Sequence, residues 1–184
     1  MEIDQFSIIS LFNKRKTLGE EERRFLTDVF AAKELEGDET VLKKGSICNH
    51  IYFIESGALT NCFLDHHSKQ MISGIATVNN FCTSAVSFIH QARSTEFIKT
   101  IEKTKLNYIN FRNFRRLIEA YPVCKDIYIK FREEDLSFMT RRIESVLLMT
   151  AKQRCESLLK IYPKTFYPHQ KQRYGRIWAC LPKH

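Results

Sequence analysis

The chain has 184 residues, of which 43% are hydrophobic, with 14 Phe and 7 Tyr; this is enough apolar material for one substantial domain plus an appendage, or for two small domains. Its unbroken apolar runs are only a few residues long, as in Ile51–Ile54, which excludes a membrane helix of ~20 residues, and the start MEIDQFSIIS has no basic leader region, so a cytoplasmic protein with no membrane partner is expected. The net charge of +8 is uneven: from Lys152 to the end there are eight Lys/Arg against one acid, Glu156, which suits either a polyanion-binding pole or a solvated basic tail.

Residues 2–31 read as helical. Ile3, Phe6, Ile9 and Leu11–Phe12 make a short apolar stripe, and Thr17 is the expected N-cap of TLGEEERRFLTDVFAA, with acids in its first turn and Phe25, Leu26, Val29 and Phe30 on its buried face. From about Lys33 to Tyr108 the pattern changes to short β-rich runs roughly ten residues apart: ETVLKK, HIYFIES, ALTNCFLD, QMISGIA, STEFIKTIE and KLNYINF. Turn signals separate them at Glu36-Gly37-Asp38, Lys44-Gly45-Ser46, Ser56-Gly57, Asp65-His66-His67-Ser68 and Asn79-Asn80. Short strands punctuated in this way predict a sandwich or barrel.

Helical patterning returns after Asn110, the expected cap of FRNFRRLIEAY, which stops at Pro122. A long helix is predicted from Val123 to Met149, spanning about 40 Å. Within it Ile129, Leu136, Ile143 and Thr150 recur every seven residues, and Arg132, Met139 and Val146 form the companion set. This a/d-like seam predicts a homodimer, while a second apolar strip at Ile127, Phe131 and Phe138 is available to pack on the barrel. Thr150-Ala151-Lys152 opens a further helix, AKQRCESLLKIY, halted by Pro163.

The six cysteines lie 14 to 42 residues apart with no C-x-x-C pair, and are expected to be reduced thiols acting as small hydrophobes. No metal, haem or iron–sulfur cluster is expected, and His66-His67 reads as a solvated hairpin tip. The sequence contains no Ser/His/Asp arrangement, P-loop or paired-carboxylate motif, so the chain is not expected to be an enzyme.

The stretch Val41–Gly57, VLKKGSICNHIYFIESG, is the most specific segment. Val41-Leu42, Gly45, Ser46, Cys48, the apolar run Ile51–Ile54 and Gly57 match a spaced pattern in which each glycine permits a tight reversal between strands. With the order helix, β region, short helix, long helix, residues 5–162 resemble the cyclic-nucleotide-binding domain of the Crp/Fnr family of bacterial transcription regulators. The resemblance implies a mainly β fold with flanking helices: a double-stranded β-helix or jelly-roll β-roll followed by a long dimerisation helix. It divides the chain into N-terminal helices (1–31), the roll with its following short helix (32–121), the dimerisation helix (122–150) and a C-terminal segment (151–184).

The same resemblance implies a ligand pocket built around Phe81, Cys82, Thr83, Ser84, Arg93, Ser94 and Thr95. In the cyclic-nucleotide binders of that family a Gly-Glu pair sets the Glu on the ribose hydroxyl, and an Arg some ten residues later pairs with the cyclic phosphate. Here Thr83 and Ser84 stand at the Gly-Glu positions, and the Arg position falls near Ser94, one residue from Arg93. A one-residue offset on a strand turns the side chain to the opposite face. Tight cAMP or cGMP binding is therefore not expected, and any effector is a small molecule of unspecified class. Family members also carry a DNA-reading helix-turn-helix. After Tyr162-Pro163 only 21 residues remain, and Pro168, Gly175 and Pro182 interrupt any helix pair, so a missing or disrupted motif is expected; DNA is a partner only if the native gene product carries it. A shift of one base across Arg173–His184 can encode a stretch resembling the start of such a motif, which the gene sequence would decide.

Overall fold

The computed structural model describes residues 19–161. The expected stripe Ile3, Phe6, Ile9 and Leu11–Phe12, the expected cap Thr17, and the segment from Tyr162 on which the helix-turn-helix expectation rests lie outside the described residues. In chain order the elements are α1 (Glu20–Val29), β1 (Ala31–Leu35), β2 (Thr40–Leu42), β3 (His50–Ser56), β4 (Ala58–Leu64), β5 (Gln70–Thr77), β6 (Phe81–Cys82), α2 (Ala85–His90), β7 (Phe97–Thr100), β8 (Thr104–Asn110), α3 (Phe111–Ala120), α4 (Pro122–Leu148) and α5 (Ala151–Ile161).

The first helix begins at Gly19, whose N–H donates to Glu22 Oε2 at 2.8 Å. Glu20, Glu21 and Glu22 place negative charge against its unpaired N–H groups. Its C-terminal end departs from the sequence expectation. Ala31 and Ala32, read as helical, instead open β1, which pairs antiparallel with β8 from Ala31↔Tyr108 to Leu35↔Thr104. Alanine favours helix, but five paired residues along a strand supply ladder hydrogen bonds that outweigh a few tenths of a kcal/mol of propensity.

Two four-stranded antiparallel sheets face each other, in the orders β1-β8-β3-β6 and β2-β7-β4-β5. This is the expected β-roll, followed by a long helix. The apolar run Ile51–Ile54 lies wholly buried because β3 sits inside its sheet, between β8 and β6, with α3 and α4 packed across it. Both motif glycines take positive φ, +84° at Gly45 and +82° at Gly57, the left-handed region that a Cβ disfavours.

Asn110 caps α3 as expected, its Oδ1 accepting from Asn113 N–H at 2.8 Å. Replacing it with Ala should lower unfolding free energy by about 1 kcal/mol in urea titration, the usual worth of a single cap. The third helix ends at Ala120, Tyr121 takes extended backbone, and Pro122 starts the 27-residue α4. Phe88 stacks edge-on against Phe111 and Phe114, at 5.3 and 5.4 Å, and Phe114 meets Tyr128 of α4 at 4.8 Å, so an aromatic chain ties the roll to both helices.

The long helix has two faces. Cys124, Ile127, Tyr128, Phe131 and Phe138 lie on the covered side, with Phe131 against Phe81 at 5.3 Å. On the other side Ile129, Leu136, Met139, Ile143 and Val146 are exposed in the single chain. Arg132, assigned to the same seam by its spacing, is half-buried and paired with Asp135 at 2.8 Å. Thr150 and Gln153 then exchange hydrogen bonds as a capping box, Thr150 N–H to Gln153 Oε1 at 2.9 Å and Gln153 N–H to Thr150 Oγ1 at 3.3 Å, opening α5 where the sequence placed it.

Candidate functional site

The segment between β5 and β7 carries the candidate pocket residues. Phe81 and Cys82 form β6, two residues paired with Phe53 and Tyr52, and strand alternation sends their side chains to opposite faces. Phe81 points toward α4, between Phe53 and Phe131. It also lines a small apolar cavity of about 30 Å³ with Phe30, Ile51, Phe114 and Ile127, far too small for a nucleotide. Cys82 points inward and is fully buried, its thiol donating to Asn61 Oδ1 at 3.1 Å. Burial holds that thiol well above the ordinary range, so it stays a protonated donor.

Thr83 Oγ1 donates to the His50 carbonyl at 2.9 Å, which ties the segment to the start of β3. Ser84 stands at the N-terminus of α2, and its hydroxyl does not cap the helix. It instead meets the Ser94 hydroxyl at 2.9 Å, both side chains being buried. The short helix ends at Gln91, with φ of 49°, and the chain returns along the glycine turn. There Gly45 N–H donates to the Ser94 carbonyl at 2.7 Å, and Ser94 N–H to the Ser46 carbonyl at 2.8 Å. The motif glycine and the pocket segment are thus one hydrogen-bonded unit.

Alternation then separates the remaining candidates. Ser94 faces the interior, whereas Arg93 and Thr95 on either side of it are exposed. The Arg93 guanidinium donates to the Gly45 carbonyl at 3.0 Å, so it is spent on the outside of the turn. The structure brings Cys82, Thr83, Ser84 and Ser94 together and leaves Phe81, Arg93 and Thr95 out of that cluster. The expected strand STEFIKTIE is also shorter than its composition suggested, because β7 spans only Phe97–Thr100.

Sequence reasoning missed Asn61, Ser73 and Glu96, which complete the polar interior. Glu96 Oε2 accepts from Asn61 Nδ2 at 3.3 Å, Oε1 accepts from Ser73 Oγ at 3.1 Å, and Asn61 Nδ2 also donates to the Thr83 carbonyl at 3.0 Å. Glu96 N–H donates to Ser94 Oγ at 3.1 Å, joining this group to the serine pair. The one available signal was Glu96 itself, a carboxylate two residues beyond Ser94 in a run otherwise read as strand. The interior side chains nearest the serine pair are therefore hydroxyls, an amide and a carboxylate.

Residues 32–121 match the family model of the cyclic nucleotide-binding domain. The fold is similar to that of the c-di-GMP responsive global regulator CLP of Xanthomonas campestris, at 14% identity and a TM-score of 0.70 over 89% of this chain and 86% of that one. A double mutant of CooA from Carboxydothermus hydrogenoformans aligns at 17% identity and a TM-score of 0.59, over 78% of this chain and 91% of that one. The sensor domain of the transcriptional regulator DNR from Pseudomonas aeruginosa aligns at 15% and 0.57, over 76% and 91%. No curated protein matches the chain. Identities this low show a shared fold and nothing finer. Residues 32–121 thus have the fold of a cyclic nucleotide-binding domain, similar to that of the DNR sensor domain. Among the described residues no helix is long and apolar enough to cross a membrane.

Proposed function

We propose that the chain is the effector-sensing and dimerisation portion of a Crp/Fnr-like transcription regulator and that it does not bind cAMP tightly. In this reading the roll and its following short helix, residues 32–121, sense; residues 122–150 dimerise through Ile129, Arg132, Leu136, Met139, Ile143 and Val146. The observation that carries the ligand part is the buried Ser84–Ser94 hydroxyl pair, 2.9 Å apart. By the family resemblance Ser84 stands at the position of the nucleotide binders' ribose-binding acid and Ser94 near that of their phosphate-binding arginine, while Arg93 is turned out onto Gly45. A cyclic phosphate placed there would meet Glu96 and no interior guanidinium from this segment, and like charges in a low-dielectric interior repel.

A thermal-shift titration tests the reading. With 1 mM cAMP, a site of 10 μM affinity would add about 2.7 kcal/mol and raise Tm by about 5–10 °C. The expected shift is below about 1 °C, and clear stabilisation at micromolar cAMP would overturn the proposal.

A further inference from the structure

The polar interior of the roll reaches the long helix through a β-bulge. Strands β4 and β5 pair in register from Ala58↔Thr77 to Asn61↔Gly74, then resume at Cys62↔Ile72, leaving Ser73 as the extra residue. In a regular strand, successive carbonyls point to opposite sides, so one side chain cannot reach both. At this bulge the carbonyls of Ile72 and Ser73 both accept from the Arg142 guanidinium, the Ile72 contact being 2.7 Å. Because β5 is the edge strand of its sheet, these acceptors are open to α4.

What fixes the bulge is the interior. The Ser73 side chain is buried and its hydroxyl donates to Glu96 Oε1 at 3.1 Å; Glu96 is anchored by Asn61 Nδ2 through its other oxygen and by Ser94 through its backbone. The Ser94 hydroxyl in turn meets Ser84. A continuous hydrogen-bonded path therefore runs Arg142–Ser73–Glu96–Ser94–Ser84, from the C-terminal part of α4 to the segment proposed as the sensor. Burial lowers the proton affinity of the Arg142 guanidinium, in keeping with a cation drawn partly out of water onto protein acceptors.

We propose that the Arg142–Ser73–Glu96 path is a positioning device: Glu96 holds the bulge at Ser73, the bulge presents two carbonyls to Arg142, and α4 is thereby held on β5. Arg142, Ser73 and Glu96 are positioning residues, and the arrangement around Ser84 and Ser94 sets how firmly the long helix docks. The inference deepens the sensor-and-dimer reading, but its test does not depend on that reading.

Hydrogen exchange on the full chain reads the docking directly. Arg142→Ala should raise exchange of the amides in residues 138–148 by about tenfold or more, the scale of losing charge-assisted hydrogen bonds. Ser73→Ala and Glu96→Gln keep both carbonyls and leave every α4 residue unchanged. Each should nevertheless raise exchange of those amides severalfold, with α3 at its wild-type level. Arg142→Lys, which keeps the charge but loses the two-pronged donor, should fall between wild type and Arg142→Ala. The proposal is overturned if Ser73→Ala and Glu96→Gln leave residues 138–148 at the wild-type rate, or if they raise exchange of the whole chain in equal proportion. Neither cAMP affinity nor oligomeric state enters this readout, so the proposal and the sensor-and-dimer reading can fail separately.

Discussion

Under the proposed dimerisation through α4, substituting Glu for both Leu136 and Ile143 should leave the protein monomeric in light-scattering chromatography at micromolar concentration. In the single chain these side chains are 67% and 62% exposed, whereas residues on the opposite side of α4 are covered by the roll. A partner helix would bury each apolar side chain for about 1.5–3 kcal/mol. Two-fold symmetry counts each position twice. Even the milder Leu136→Ala should weaken dimerisation by about 10²–10⁴-fold, and the double Glu variant should abolish it because four charges would enter an apolar seam. Thermal stability of the monomer should hardly change, since neither side chain contributes to the roll core. If the wild-type chain is monomeric at 100 μM, or if the double variant remains dimeric, the seam is not the interface.

Gly57→Ala should cost about 3–5 kcal/mol of unfolding free energy, enough to unfold a marginal domain, while Gly45→Ala should cost only about 1–2 kcal/mol. Both residues adopt left-handed backbone, so both substitutions carry that penalty. The difference lies in the space around them. A Cβ at Gly57 would lie 2.5 Å from the Lys103 carbonyl oxygen and 2.8 Å from Thr104 Cα, backbone atoms that cannot move without shifting β8. A Cβ at Gly45 would meet nothing within 4 Å. Urea denaturation of the two variants side by side checks this. Equal losses would mean that the close approach at Gly57 relaxes freely.

The six β-rich runs between Thr40 and Asn110 were legible because β-branched and aromatic residues cluster between glycine and asparagine turns, and each contains a strand of the roll. The long helix was equally plain, as no Gly or Pro interrupts it beyond Pro122. Strand β1 was not legible: Ala-Ala-Lys-Glu-Leu has no strand preference of its own and is extended only because β8 lies beside it. Strand β6 is two residues long, shorter than any periodic signal can register. The fate of the pocket residues was partly readable, since simple alternation placed Ser94 and Arg93 on opposite faces. The polar interior was not readable, because its key member owes its direction to a bulge. Ser73 follows Ile72 in a pattern where both are buried, and only the slipped pairing with β4 makes that possible. Nothing in the spacing of α4 singles out Arg142, which is half-buried against β5.

The joint at Tyr121-Pro122 gives the long helix a mechanical character. Tyr121 is held extended at φ −129° and ψ 97°, and its ring packs on Phe25 at 5.2 Å, so α4 starts from a stiff pivot rather than continuing α3. Arg142 lies twenty residues beyond the pivot, about 30 Å along the axis. A swing of only 5° about that joint would carry the Arg142 end through about 2.6 Å, more than the tolerance of a hydrogen bond. A contact so far from the joint fixes the direction of the helix more tightly than one near its base, and the guanidinium resting on β5 is such a contact.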